Sequence, residues 1–266
     1  MSSESLKKFS AVTSFNLKSQ SYGIDMLESY FKFWPSDCIL FAYLENSLNI
    51  DDEKVKDKIN ILDFHKEIPE YKSFASKYFH KNNNTNYRFD ALKFAHKIFA
   101  IQKAISVCKT QYLIWLDADI KTVKIINDNF LNSLVKSDHY MSFLGREHVQ
   151  KKSLRYSETG FMIFNLYHQS HKSFWSLIDD MYTGGQLFNL DEWTDSWVLD
   201  HVRKHLEKKC KLKNVNLCDF GLKDVGNESH VFVGSILGDY MDHKKGPRKF
   251  IKWSKEFIRR YKLNLK

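Results

Sequence analysis

The chain has 266 residues, 43% of them hydrophobic and 27% charged, with only three prolines and ten glycines. This composition excludes a disordered, collagen-like or linker-dominated chain and leaves one large domain or two small ones. No apolar run approaches the ~18 residues a membrane span needs. The net charge of +9 favours an anionic partner such as a nucleotide, nucleic acid, a phosphorylated glycan or an anionic lipid surface.

In chain order, residues 9–15 read as a first strand. Residues 22–33 carry apolar positions at helical spacing before Trp34-Pro35 stops the helix. A second strand is expected at 38–44, a third at 59–64 and a helix at 69–79, followed by the polar loop Asn82-Asn83-Asn84-Thr85-Asn86. The next helix is long, with Leu92, Phe94, Ala95, Ile98, Phe99, Ile101 and Ile105 near a 3.6 period. It leads into Tyr112-Leu113-Ile114-Trp115-Leu116, apolar on both faces and so a central strand. Further strands are expected at 139–144 and 160–165, and helices at 169–182, 193–208 and 250–261.

Strands and helices alternate early and mix later, with no repeat and no linker. The expectation is a single α/β domain over 1–266, with a mostly parallel central sheet carrying helices on both faces. Cys38, Cys108, Cys210 and Cys218 have no C-x-x-C spacing and read as free thiols. The N-terminal residues carry charge but no apolar h-region, which points to a cytoplasmic protein. The basic excess lies late, at 204–213 and 244–266, and its plain reading is a solvated face.

The sharpest local feature is Asp117-Ala118-Asp119 at the C-terminal end of the central strand. The period of an extended chain keeps both carboxylates on one side, at the sheet end where open α/β folds bind ligands. Their sequence neighbours carry no cation, so the two would repel unless a divalent ion sat between them and a ligand. The alternative is that Asp117 caps the following turn. The second feature is His243-Lys244-Lys245-Gly246-Pro247-Arg248-Lys249. Its His can ligate a Mn²⁺-like ion, Gly246 lets backbone approach a phosphate, and Lys249 offers that phosphate a positive charge.

D-x-D after a hydrophobic strand, with a downstream H-x-x-G-x-x-K, resembles the GT-A nucleotide-sugar glycosyltransferases. The pairing is most similar to the retaining family that includes glycogenin and bacterial lipopolysaccharide galactosyltransferases. Where that family usually continues K-P-W, this chain reads Lys249-Phe250-Ile251. The resemblance implies a GT-A (Rossmann-like) fold, Mn²⁺ or Mg²⁺ held by Asp117, Asp119 and His243, and Gly246 and Lys249 on the diphosphate of a UDP-sugar donor. It also implies a glycan or other hydroxyl acceptor.

Weaker stretches fit the same resemblance. Tyr87-Arg88-Phe89-Asp90 opens the long helix, and Lys93 and Lys97 lie one turn apart on a face that can meet the carboxylates. Arg88, Lys93 or Lys97 would then contact the donor sugar or nucleotide. Thr13, Ser14 and Phe15 sit where such folds receive the base. Glu158-Thr159-Gly160 precedes an apolar strand, and residues 191–197 combine Asp191, Glu192 and Asp195 with two indoles, a mixture suited to a sugar. Asp195 is the first candidate base if the anomeric carbon inverts. If configuration is retained, as the resemblance implies, Asp195, Asp191 or Glu158 positions sugar.

A metal-dependent nucleotidyl transferase or nucleic-acid-acting enzyme is the rival reading, because paired aspartates at a strand end also serve phosphoryl chemistry. A non-catalytic binding module is the third. The chain lacks G-x-x-x-x-G-K-[ST], H-E-x-x-H and G-x-S-x-G, which disfavours P-loop, zincin and hydrolase chemistry.

Overall fold

The computed structural model describes residues 8–45 and 57–264. The N-terminal residues on which the cytoplasmic expectation rests lie almost wholly outside them. In chain order the strands and α-helices are β1 (Phe9–Phe15), α1 (Gln20–Phe33), β2 (Ile39–Leu44), β3 (Ile59–Asp63), α2 (Phe64–Glu67), α3 (Pro69–Tyr78), α4 (Ala91–Val107), β4 (Tyr112–Leu116) and β5 (Ile120–Thr122). Then come α5 (Asp128–Ser133), β6 (Met141–Leu144), β7 (Glu158–Asn165), α6 (His171–Tyr182), α7 (Asp195–Cys210), β8 (Val215–Asn216), α8 (Val231–Gly234), β9 (Met241–His243) and α9 (Lys255–Asn264).

Seven strands form the main sheet in the order β3-β2-β1-β4-β7-β6-β8. β3, β2, β1 and β4 are parallel, β7 runs antiparallel to both its neighbours, and β8 is parallel to β6. The chain builds outwards from β1 to β2 and β3, then returns through α4 to place β4 on the other side of β1. The C-terminal ends of β1 and β4 therefore form a topological switch point, the crevice where open α/β sheets bind ligands.

The two-residue period of β4 explains its burial on both faces. Tyr112, Ile114 and Leu116 enter a core with α1, α5, α8 and α9, while Leu113 and Trp115 enter a second core with α3, α4, α6 and α7. β1 and β4 match the sequence expectation residue for residue. The expected helix over 250–261 instead begins at Lys255, because Ser254 Oγ caps it by accepting from the Phe257 amide at 3.0 Å. Asp242 holds that serine through its amide at 2.7 Å and its hydroxyl at 2.5 Å. The helix expected from 193 begins at Asp195, where Thr194 Oγ1 accepts from the Trp197 amide at 3.2 Å.

All four cysteines are free. Among the described residues no helix is long and apolar enough to cross a membrane.

Candidate functional site

Three pieces of chain meet at the switch point. β4 ends at Leu116, and a tight turn closed by the Ile120 amide on the Asp117 carbonyl, at 3.1 Å, leads into β5. β5 pairs antiparallel with β9, setting Ile120 opposite His243. The Lys244 amide donates to the Asp119 carbonyl at 3.0 Å, so the pairing extends to the second aspartate itself. The third piece is β7, whose Phe161 lies opposite Leu116 and whose Glu158 lies opposite Leu144 at a register shift in the β6–β7 pairing.

These backbone constraints bring Asp117, Asp119 and His243 together. His243 Nε2 is 3.0 Å from Asp119 Oδ1 and 3.8 Å from Asp117 Oδ2. One ligand atom from each residue lies within 4.8 Å of the other two. Donors sharing a Mn²⁺ or Mg²⁺ sphere at about 2.1 Å stand roughly 3–4.2 Å apart, so this set fits such an ion with adjustments of about half an ångström. Two carboxylates and an imidazole are also the right donor chemistry for it. The ring of His243 is placed by a missing side chain: a Cβ on Gly160 would stand 2.5 Å from His243 Cε1.

The aspartates do have cations, supplied from distant parts of the chain rather than by sequence neighbours. Lys97 of α4 reaches Asp117 Oδ1 at 2.8 Å and Asp195 Oδ2 at 2.5 Å, and donates to the Thr159 carbonyl at 3.0 Å. Burial pulls this ammonium down, but the two carboxylates override it and hold it above the ordinary lysine range. Lys249 lies 3.0 Å from Asp119 Oδ2 and 4.9 Å from the centre of the Tyr22 ring. Burial raises the Asp119 carboxyl, yet His243 and Lys249 outweigh it and leave the group well below the usual carboxylate range. Asp117 also accepts from Trp115 Nε1 at 2.7 Å.

A cleft of about 1060 Å³ opens over this cluster. Phe15, Lys93, Lys97, Asp117, Asp119, Glu158, Asp195, His243, Gly246 and Lys249 all line it. Gly246 has a left-handed φ of +58° and open space where a Cβ would go, so its constraint is conformational rather than steric. Asp195, at the first position of α7, is held by Lys97 and by Thr159 Oγ1 at 2.9 Å. Glu158 is buried and paired with Arg146 and Lys245.

Other candidates stand elsewhere. Thr13 is fully buried within the sheet and Asp191 is exposed, and neither lines the cleft. Arg88 is also absent from the lining and pairs with Glu192 at 3.1 Å, tying the start of α4 to the loop before α7. Lys93 is exposed on the cleft wall, and among the described residues no carboxylate lies within ion-pair reach of it.

Sequence reasoning assigned no role to Arg146, Lys245, Tyr22 or Tyr156, all of which line the cleft. Lys245 lay inside the basic run already singled out. Tyr22 opens the helical pattern over 22–33, Arg146 and Tyr156 stand in no local pattern, and only the tertiary fold brings the three to the cleft. Also lining the cleft, Glu45 Oε1 lies 3.0 Å from His96 Nδ1, with the His96 ring centre 4.1 Å from that of Tyr71.

No protein-family model matches the chain, and no curated protein does. Solved structures do. Mouse xyloside xylosyltransferase 1 aligns at TM-score 0.50 and 12% identity, covering 80% of this chain and 86% of that one. The glycosyltransferase GlyE of Streptococcus pneumoniae TIGR4 aligns at 0.53 and 10%, covering 97% of this chain and 64% of that one. A glycosyltransferase involved in glycosylation of the major capsid of PBCV-1 aligns at 0.50 and 13%, covering 95% and 99%. The central sheet, its crossovers and the switch-point crevice together give this chain the GT-A-like fold of those glycosyltransferases.

Proposed function

We propose that the chain is a metal-dependent glycosyltransferase, moving a sugar from a nucleotide-diphosphate sugar, a UDP-sugar by resemblance, to a hydroxyl acceptor with retention at the anomeric carbon. One observation carries the reading. Asp117, Asp119 and His243, drawn from two distant segments, converge to within 4.8 Å at the switch-point cleft, with Lys249 beside them. Asp117, Asp119 and His243 would hold a divalent ion, which would supply Lewis-acid stabilisation of the charge on the departing diphosphate.

The chain's own residues do the rest. Lys249 is free to trade its pairing with Asp119 for a phosphate oxygen, because both partners face the cleft. Lys97 fixes Asp117 and Asp195 relative to each other, so a carboxylate of the ligand cluster and the one at the start of α7 move as a unit. Retention rests on the resemblance of the H-x-x-G-x-x-K segment. Within the cleft, Glu45, Asp117, Asp119, Glu158 and Asp195 each have a cationic or imidazole partner, and Asp90 caps α4 by accepting from the Lys93 amide. Asp195, with Lys97 and Thr159 on it, is built to hold sugar hydroxyls in place.

The test is thermal stabilisation and donor hydrolysis over a panel of nucleoside diphosphates, nucleotide sugars and polynucleotides, with and without Mn²⁺. The expected result is stabilisation by UDP that requires Mn²⁺ and is lost in Asp119→Ala. Stabilisation by no nucleoside diphosphate under any divalent ion overturns the proposal.

A further inference from the structure

The His243 ring is 2% exposed, and its two nitrogens meet different surroundings. Nε2 faces Asp119 and Asp117, whereas Nδ1 is buried without a hydrogen-bond partner. Of the rings packed on it, Phe232 has no polar atom to offer, and His230 Nε2 is directed at the His243 carbonyl, at 3.1 Å. Among the described residues Glu158 is the only carboxylate within 4 Å of Nδ1, with Oε1 3.6 Å away.

The fold holds Glu158 in this place. It lies at the register shift of the β6–β7 pairing, the kind of break that re-aims a side chain. Its Oε2 pairs with Arg146 and Lys245, while Oε1 accepts from the Gly160 amide at 3.1 Å. Gly160 also opens the space between carboxylate and ring, since a Cβ there would stand 2.9 Å from Nδ1 and 3.1 Å from Oε1. With both oxygens engaged inside the protein, Glu158 is not available to the sugar hydroxyls that the sequence suggested for it.

An imidazole that gives one nitrogen to a metal carries its proton on the other, and a buried N–H needs an acceptor. We propose that Glu158 is the positioning residue for His243: its Oε1 accepts the Nδ1 proton and so fixes both the orientation of the ring and the nitrogen presented to a divalent ion. The approach from 3.6 Å to hydrogen-bond length takes a shift of about 0.6 Å. This inference rests on the metal reading of the cluster proposed above.

The tests are Mn²⁺ calorimetry and urea denaturation of the full chain, with nitrogen NMR of the histidine side chains in the Mg²⁺-loaded protein. The wild type should bind Mn²⁺ and show a proton on His243 Nδ1 and none on Nε2. Glu158→Leu alone strands the buried Arg146 charge, so the informative variant is Arg146→Leu/Glu158→Leu, where an apolar pair replaces an ion pair at little cost in stability. It should lose about 10–100-fold in Mn²⁺ affinity and no longer protect the Nδ1 proton from exchange. Arg146→Leu, which keeps the carboxylate, should bind Mn²⁺ as the wild type does. A wild type that binds no divalent ion overturns the proposed function and this inference together. If the wild type binds, an equal affinity in the double variant, a loss of the same size in Arg146→Leu, or a Mg²⁺-loaded His243 without a proton on Nδ1 overturns this inference alone. Should the double variant fail to fold, the wild-type proton position decides.

Discussion

Replacing Gly160 by alanine tests whether the position of one imidazole governs the cluster. An added Cβ would lie 2.5 Å from His243 Cε1 and 2.9 Å from Nδ1. Ordinary contact between such atoms begins near about 3.5 Å, so the ring must retreat by roughly 1 Å. It has little room, because Phe232 packs on it with ring centres 5.0 Å apart and His230 with centres 6.1 Å apart. The retreat pulls Nε2 out of its 3.0 Å approach to Asp119. Displacing one metal ligand indirectly costs about 10–100-fold in metal affinity, and a misplacement of about 1 Å costs on the order of a hundredfold in turnover. Overpacking adds a stability loss of about 1–3 kcal/mol. Mn²⁺ titration followed by calorimetry, alongside urea denaturation, separates these effects. If Gly160→Ala loses stability but keeps wild-type Mn²⁺ affinity, the missing side chain serves packing alone and the argument about His243 fails.

Three further outcomes follow from the same structure. Lys97→Met leaves the buried Asp195 and half-buried Asp117 without their ammonium, and urea denaturation should show a loss of about 3–5 kcal/mol; Lys97→Met/Asp195→Leu should recover most of it, so equal instability of the two would count against the pairing. Thr194→Ala removes the cap that starts α7 at Asp195, which should cost about 1 kcal/mol in the same assay and lower turnover; an unchanged unfolding midpoint would refute the capping role. His96 is pushed down from 6.5 to about 4, first by burial and then by the His65 charge. Between those values the unfolded chain binds the proton and the folded chain does not, so stability should fall as pH drops from 6.5 towards 4, by up to about 3 kcal/mol. In His96→Gln that part of the pH dependence should disappear, and a slope identical to wild type would rule it out.

The parts of the fold set by local pattern were legible. β1 and β4 announce themselves as apolar runs, and α4 by its period, because burial of a strand on two faces or a helix on one leaves a direct trace in composition. β5 and β9 leave none. Each has three residues, and their pairing joins segments roughly 120 residues apart. That pairing nonetheless sets His243 beside Asp119, so the D-x-D and H-x-x-G-x-x-K segments could be recognised singly while the contact between them could not be derived. Lys97 was placed by helical spacing from Lys93, but spacing alone made the two equivalent. The fold separates them: one turn along α4 decides which ammonium reaches Asp117 and Asp195 and which stays in solvent. Arg88 and Asp191 failed to reach the cleft for a related reason. Both sit in the irregular connections flanking α4 and α7, where no periodicity fixes the direction of a side chain.

The β5–β9 pairing also sets how a bound metal would couple to folding. In an unfolded chain the carboxylates and the imidazole are separated by most of the second half of the sequence, and bringing them together costs loop-closure entropy that no local structure can offset beforehand. The site therefore exists only once residues 241–243 have docked against 120–122. A divalent ion bound there would select the fully assembled molecule over every partly folded form, stabilising it in proportion to the logarithm of ion concentration over Kd. A bound metal would clamp the segment from β9 onward. Release of that segment, whether by proteolysis or by local unfolding, would leave Asp117 and Asp119 on their strand end without the third ligand.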